Sequence, residues 1–149
     1  MYLIDGNNLI GHTKEIPYHD PGARQRLLDH IVPFLEASHS KATVVFDGGS
    51  QSLRKSRRIQ LVFSGSMSSA DDRIRHLVES APAPRDLCVV SSDNAVYGYS
   101  RSCGSRAIKC HEFNRLIRET AQSHPPGENR EHTVEDLKQW LRYFGEEEE

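Results

Sequence analysis

Five aspartates and two asparagines hold the chemistry this sequence offers. Asp5, Asp47 and Asp93 each close an apolar, strand-like run, in YLID, TVVFD and LCVVSSD, and Asp71 and Asp72 open the helical pattern of SADDRIRHLVE. If the strands are parallel, all five carboxylates reach one edge. Like charges gathered there repel strongly at low effective dielectric, so a fold keeps them only with something positive between them. Oxygen ligands without patterned cysteine or histidine favour a hard cation, Mg²⁺ or Mn²⁺. The expected metal ligands are therefore Asp5, Asp72, Asp93, Asp71 and Asp47. Asn8 and Asn94 place neutral amides beside them, able to orient a water or a phosphate oxygen, and Ser91 and Ser92 either do the same or cap a helix.

Each acid also has a local explanation. Asp-Gly at 5 and 47 is a turn dipeptide. Asp71 and Asp72 suit the positive end of a helix dipole and can pair with Arg75, and Asp93 can be an N-cap. These separate explanations do not account for three strands ending in the same residue type.

A basic loop, SLRKSRR, puts Arg54, Lys55, Arg57 and Arg58 within five positions. Beside a cation site such a loop holds a polyanion's phosphates. Arg73, Arg75, Arg101 and Arg106 extend the expected track, with Tyr97 and Tyr99 as the nearest platforms for a base. The combination points to phosphodiester hydrolysis: a metal-activated water attacks in line, leaving a 5′-phosphate and a 3′-hydroxyl.

The elements that must position these groups alternate. Strands are predicted at 1–5, 43–47, 58–64, 86–93 and 105–110. Helices are predicted from Pro21, with Asp20 as N-cap and a break or kink at Pro33, from Ser68 or Ser69, at 94–101 and at 111–122. Strand-helix alternation with apolar strands implies an α/β sandwich of three layers, α/β/α, around a mostly parallel sheet, with ligands beyond the carboxyl ends of the strands. Residues 1–122 form the expected domain, 123–132 a linker rich in Pro and Gly, and 133–145 an amphipathic helix packing on the domain. That helix carries Val134, Leu137, Trp140, Leu141 and Phe144 on one face, and 146–149 is an acidic tail.

The 149 residues carry a formal charge of −2, but the tail supplies four of the 21 acids, leaving residues 1–145 with 19 basic against 17 acidic groups. No apolar run approaches the roughly 20 residues of a membrane span, and no signal-peptide pattern precedes the first strand, so the cytoplasm is the expected location and no membrane partner is expected. Three cysteines without C-x-x-C spacing and eight scattered histidines argue against disulfide or zinc frameworks.

LIDGNNLIG, VVFDGG, SADDRIRHLVE and VVSSDNAVYGYSRS, in this order, resemble the NYN domains, PIN-like ribonucleases, and in particular their YacP-like bacterial branch. The resemblance spans about residues 1–120. It implies a PIN-like fold that binds Mg²⁺ or Mn²⁺ and cuts single-stranded RNA, mRNA or tRNA, endonucleolytically, with a ribosome-linked role in that branch. Asp5 and Asn8 match its first motif, Asp71 and Asp72 its acidic pair, and Asp93 its last acid; these five are the implied catalytic residues. Asp47 matches a less uniform acidic position. Asn7 stands where many YacP-like members have an aromatic residue, and the chain is short for that branch, which weighs against ribosome association.

Three rival readings remain at this point. The fold can bind RNA or a protein without turnover. A receiver-type domain would phosphorylate Asp47, with Asp5 on Mg²⁺ and Lys109 closing the site. A nuclease acting on DNA flaps shares the PIN-like fold.

Overall fold

A computed structural model describes residues 1–123. The predicted linker from His124 onward, the helix at 133–145 and the acidic tail lie outside the described residues.

The chain alternates as its apolar periodicity requires: β1 (Tyr2–Asp5), α1 (Gly6–Gly11), α2 (Ala23–Ser38), β2 (Ala42–Phe46), β3 (Ile59–Phe63), α3 (Ala70–Glu79), a single 3₁₀ turn (Pro84–Asp86), β4 (Cys88–Val90), α4 (Asn94–Ser102), β5 (Arg106–Ile108) and α5 (Cys110–Ser123). The five strands form one sheet in the order β3-β2-β1-β4-β5, every neighbouring pair parallel. Because strand side chains alternate between faces, each strand feeds two cores. Ile4, Val44, Phe46, Ile59 and Val90 pack with residues of α1, α2 and α5. Leu3, Val45 and Val89 pack with residues of α3 and α4 on the other face. The result is the expected three-layer α/β/α sandwich. The strand order reverses between β1 and β4, and in open parallel sheets the crevice at such a reversal lies beyond the carboxyl ends of the strands.

Three local expectations change. The DGNN stretch forms α1 with no intervening loop. Its entry depends on Gly6, where a Cβ would sit 2.5 Å from the Phe46 ring. Helix α2 starts at Ala23 rather than Pro21, because Asp20 makes a turn instead of a cap: its Oδ1 accepts the Gly22 N–H at 2.8 Å and its backbone oxygen accepts that of Ala23. The same helix runs through Pro33 to Ser38. Pro33 lies on the solvent face, where water can satisfy the carbonyl its ring leaves unpaired. Among the described residues no helix is long and apolar enough to cross a membrane.

Candidate active site

Asp5 ends the central strand β1 and is only 4% exposed. Burial pushes its carboxyl up to about 6; the Ser91 hydroxyl and the Asn8 backbone amide pull it down, and the negative charges of Asp71 and Asp47 add to the rise. Ser91, itself buried at the end of β4, donates its hydroxyl to Asp5 Oδ2 at 3.1 Å and accepts the Asp93 backbone N–H at 3.1 Å. Asp93 is the N-cap of α4; its Oδ1 accepts the N–H groups of Ala95 and Val96 at 2.8 and 3.2 Å.

Asp71 lies in the first turn of α3. Its carboxyl is raised by burial and then by Asp93, with Arg75 opposing the rise and Asp47 and Asp72 adding to it. Asp47 follows β2, and its Oδ1 accepts the Ala70 N–H at 2.7 Å, fixing the start of α3 against the strand. Thus Asp5, Asp47, Asp71 and Asp93 act on one another at one end of the sheet. Asp72 differs: it is exposed, and its backbone N–H is capped by Ser69 Oγ at 3.1 Å.

The two asparagines clamp this edge from α1. Asn7 Oδ1 accepts the Asp47 N–H at 2.8 Å, toward β2. Asn8 Oδ1 accepts the Ser92 N–H at 2.7 Å and the Cys110 thiol at 3.2 Å, toward β4 and β5. A position noted only for departing from the resembled branch therefore holds one side of the site, and Asn8 acts here as a brace. Asn94, exposed at the start of α4, accepts Lys109 Nζ at 2.6 Å.

The basic track divides. Arg54 and Lys55 are exposed, and the Arg54 backbone exchanges two 2.9 Å hydrogen bonds with the Gln25 side chain near the start of α2. Arg58 lies at the other end of the sheet. Because β3 is parallel to β2, Ile59 pairs with Ala42, and the preceding Arg58 sits at the amino edge, its Nε 3.4 Å from the buried Glu36. Arg57, exposed, precedes it at that same edge. Arg106 opens β5 and also falls at the amino edge. Arg75 stacks 5.7 Å over Tyr99. Two further cations stand at the carboxyl edge, Arg24, which the sequence reading did not use, and Lys109, which it used only in the receiver-type reading. Arg24, over Phe46 and Phe63, donates to the backbone oxygens of Asp47 and Gly49 at 2.5 and 3.1 Å. Lys109 directly follows β5, and the carboxyl-edge rule that selected the aspartates would have selected it too. It contacts Asn94 and Tyr97 rather than Asp47, from which β1 and β4 separate it.

The donor set suits a hard cation. Asp5, Asp47, Asp71 and Asp93 form no ion pair among the described residues, and the rises at Asp5 and Asp71 go in the direction a cation would reverse. Yet no three acidic, histidine or cysteine side chains among those residues converge into a ready cage. Mg²⁺ does not need one, since it usually keeps several waters and takes one or two carboxylates directly. Asp5, Asp71 and Asp93 are the side chains that could hold it.

A family model for the YacP-like NYN domain matches residues 2–143. The chain belongs to this family. Two crystal structures of Rae1 (YacP) from Bacillus subtilis share the fold of this YacP-like NYN domain. One, of a tryptophan-to-leucine mutant, superposes with a TM-score of 0.74 at 17% identity, covering 95% of this chain and 91% of that one. The other gives 0.63 at 19% identity, covering 97% and 92%. No curated protein sequence matches.

Proposed function

We propose that this YacP-like NYN domain is an Mg²⁺- or Mn²⁺-dependent endoribonuclease that hydrolyses single-stranded RNA, such as mRNA or tRNA, to 5′-phosphate and 3′-hydroxyl ends. The observation that carries the reading is Asp5. A carboxylate buried at the strand-order reversal, faced by Asp71 and Asp47 and without a basic partner, is costly to keep unless a cation works there. When bound, the cation supplies Lewis acidity, a more acidic water and neutralisation of phosphate charge.

The chain's own residues do the rest. Ser91 holds Asp5 and the Asp93 loop in fixed relation, and Asn7 and Asn8 lock the ends of β2 and β4 around them. Asp47 fixes the start of α3 and with it Asp71. Arg54 and Lys55 beside α2 provide positive charge to attract a nucleic-acid backbone.

The test is cleavage of a 5′-labelled single-stranded RNA by the full chain with Mn²⁺ or with EDTA, beside a DNA of the same sequence and the Asp5→Asn and Asp93→Asn variants. Metal-dependent cutting of RNA that both variants lose supports the reading. The unconverged carboxylates favour one alternative, an RNA-binding module without turnover. Wild type that binds the RNA and leaves it whole across lengths and metals would establish that alternative instead.

A further inference from the structure

Lys109 and Arg101 come together on one side chain. Lys109 Nζ lies 4.4 Å from the centre of the Tyr97 ring and donates to Asn94 Oδ1 at 2.6 Å. The Arg101 guanidinium lies 5.6 Å from the same centre, its Nη1 donating to Tyr97 Oη at 3.3 Å. Neither cation pairs with an acid among the described residues. The nearby carboxylates are used elsewhere: Asp93 Oδ1 caps α4, and Glu112 Oε1 accepts the Lys109 backbone N–H at 2.9 Å.

Two positive groups sharing one ring repel each other, and the ring's quadrupole offsets only part of that. An anion that accepts from both would relieve that repulsion. Its position says which anion. Asn94, which anchors Lys109, follows Asp93 in the chain, so Lys109 stands beside the start of α4, which a carboxylate of the candidate active site caps, while Arg101 reaches Tyr97 from the last turn of the same helix. Lys109 directly follows β5 and so lies at the β5 end of the carboxyl edge, with Arg54 and Lys55 toward the β2 and β3 end. Three strand spacings separate β2 from β5, roughly 14 Å.

We propose that Lys109, Arg101 and the Tyr97 hydroxyl form a subsite for one backbone phosphate of single-stranded nucleic acid, flanking the phosphodiester that is cut. The subsite rests on the nuclease reading for its position beside the scissile bond, but not for its capacity to bind. It makes nucleic acid lie across the sheet edge, from the Arg54 loop to β5, with the carboxylates beneath the middle.

The experiment measures anisotropy of a labelled single-stranded RNA bound to the full chain in EDTA, from about 50 to 200 mM salt, with Mn²⁺-supported cleavage assayed in parallel. The double variant Lys109→Gln, Arg101→Gln should lower the slope of log affinity against log salt by about 0.7, the value for one phosphate contact on a single strand, and raise KM for cleavage. Lys109→Arg with native Arg101 should restore the slope, which a purely structural role for the lysine would not require. Arg115→Gln on α5, with thermal melts of every variant, controls for general charge and folding. If wild type cleaves and the folded double variant matches its slope and KM, the subsite is wrong and the nuclease reading stands. If wild type binds without cutting and the double variant loses slope, the nuclease reading fails and the subsite stands. If wild type shows no salt-dependent binding, the subsite falls.

Discussion

Ser91 Oγ donates to Asp5 Oδ2 at 3.1 Å across the β1/β4 boundary, where the strand order reverses. The same oxygen accepts the Asp93 N–H, so one hydroxyl sets the geometry of two candidate ligands. Ser91→Ala should therefore leave the protein folded, raise the Asp5 carboxyl further and reduce cleavage about 10- to 100-fold, the usual effect of losing a group that orients a metal ligand. Cleavage rates against Mn²⁺ concentration check this, the loss being largest at low metal. Unchanged metal dependence would remove Ser91 from the account.

Asp5→Asn should stabilise the metal-free protein. Asp5 binds its proton more tightly folded than unfolded, so the ionised form opposes folding. The penalty is absent below the unfolded value near 4, grows between about 4 and 6, and is complete above. Urea melts in EDTA should thus show the variant more stable than wild type at pH 7 by about 2–3 kcal/mol, with the gap closing toward pH 4. A variant less stable at pH 7 would contradict the burial argument.

Asn8→Ala leaves the Ser92 N–H without its acceptor and the Cys110 thiol without its partner. A cost of about 1–3 kcal/mol is expected. Asn7→Ala, on the exposed side, should cost less but displace Asp47. Denaturant melts and cleavage rates together separate the two: Asn8→Ala should lose stability first, Asn7→Ala activity first.

Arg58→Met should destabilise the protein by about 3 kcal/mol or more, because it removes an ion-pair partner of the buried Glu36 carboxylate. RNA affinity of the folded fraction should not change, since Arg58 sits at the amino edge. Arg54→Gln should do the reverse, keeping stability and weakening binding. Melting and anisotropy on both variants check the pair; lower affinity in folded Arg58→Met would return that residue to the track.

The strands and the shared carboxylate edge were legible because β-branched runs such as TVVF bury both faces and announce themselves without partners. Helix α1 was not legible, since Gly-Asn-Asn favours turns over helix locally and is held by bonds to Asp47 and Ser92 from distant parts of the chain. Arg58 was misplaced because a basic run does not reveal where its loop crosses back to start a parallel strand. The difference between Asp71 and Asp72 was available and unread. At 3.6 residues per turn, Asp71 lies about 60° from the inward Ile74 and Asp72 about 160° away. The structure agrees, with Asp71 half-buried and Asp72 exposed.

That difference gives the most direct test of the account. Single-turnover cleavage of a labelled single-stranded RNA in Mn²⁺ would be compared for wild type, Asp71→Asn and Asp72→Asn, each shown folded by its melt. A carboxylate centre built on Asp5, Asp71 and Asp93 predicts cutting by wild type, a loss of about 100-fold or more in Asp71→Asn, and a rate within about threefold of wild type in Asp72→Asn. Equal activity of Asp71→Asn and wild type, or loss confined to Asp72→Asn, would contradict it.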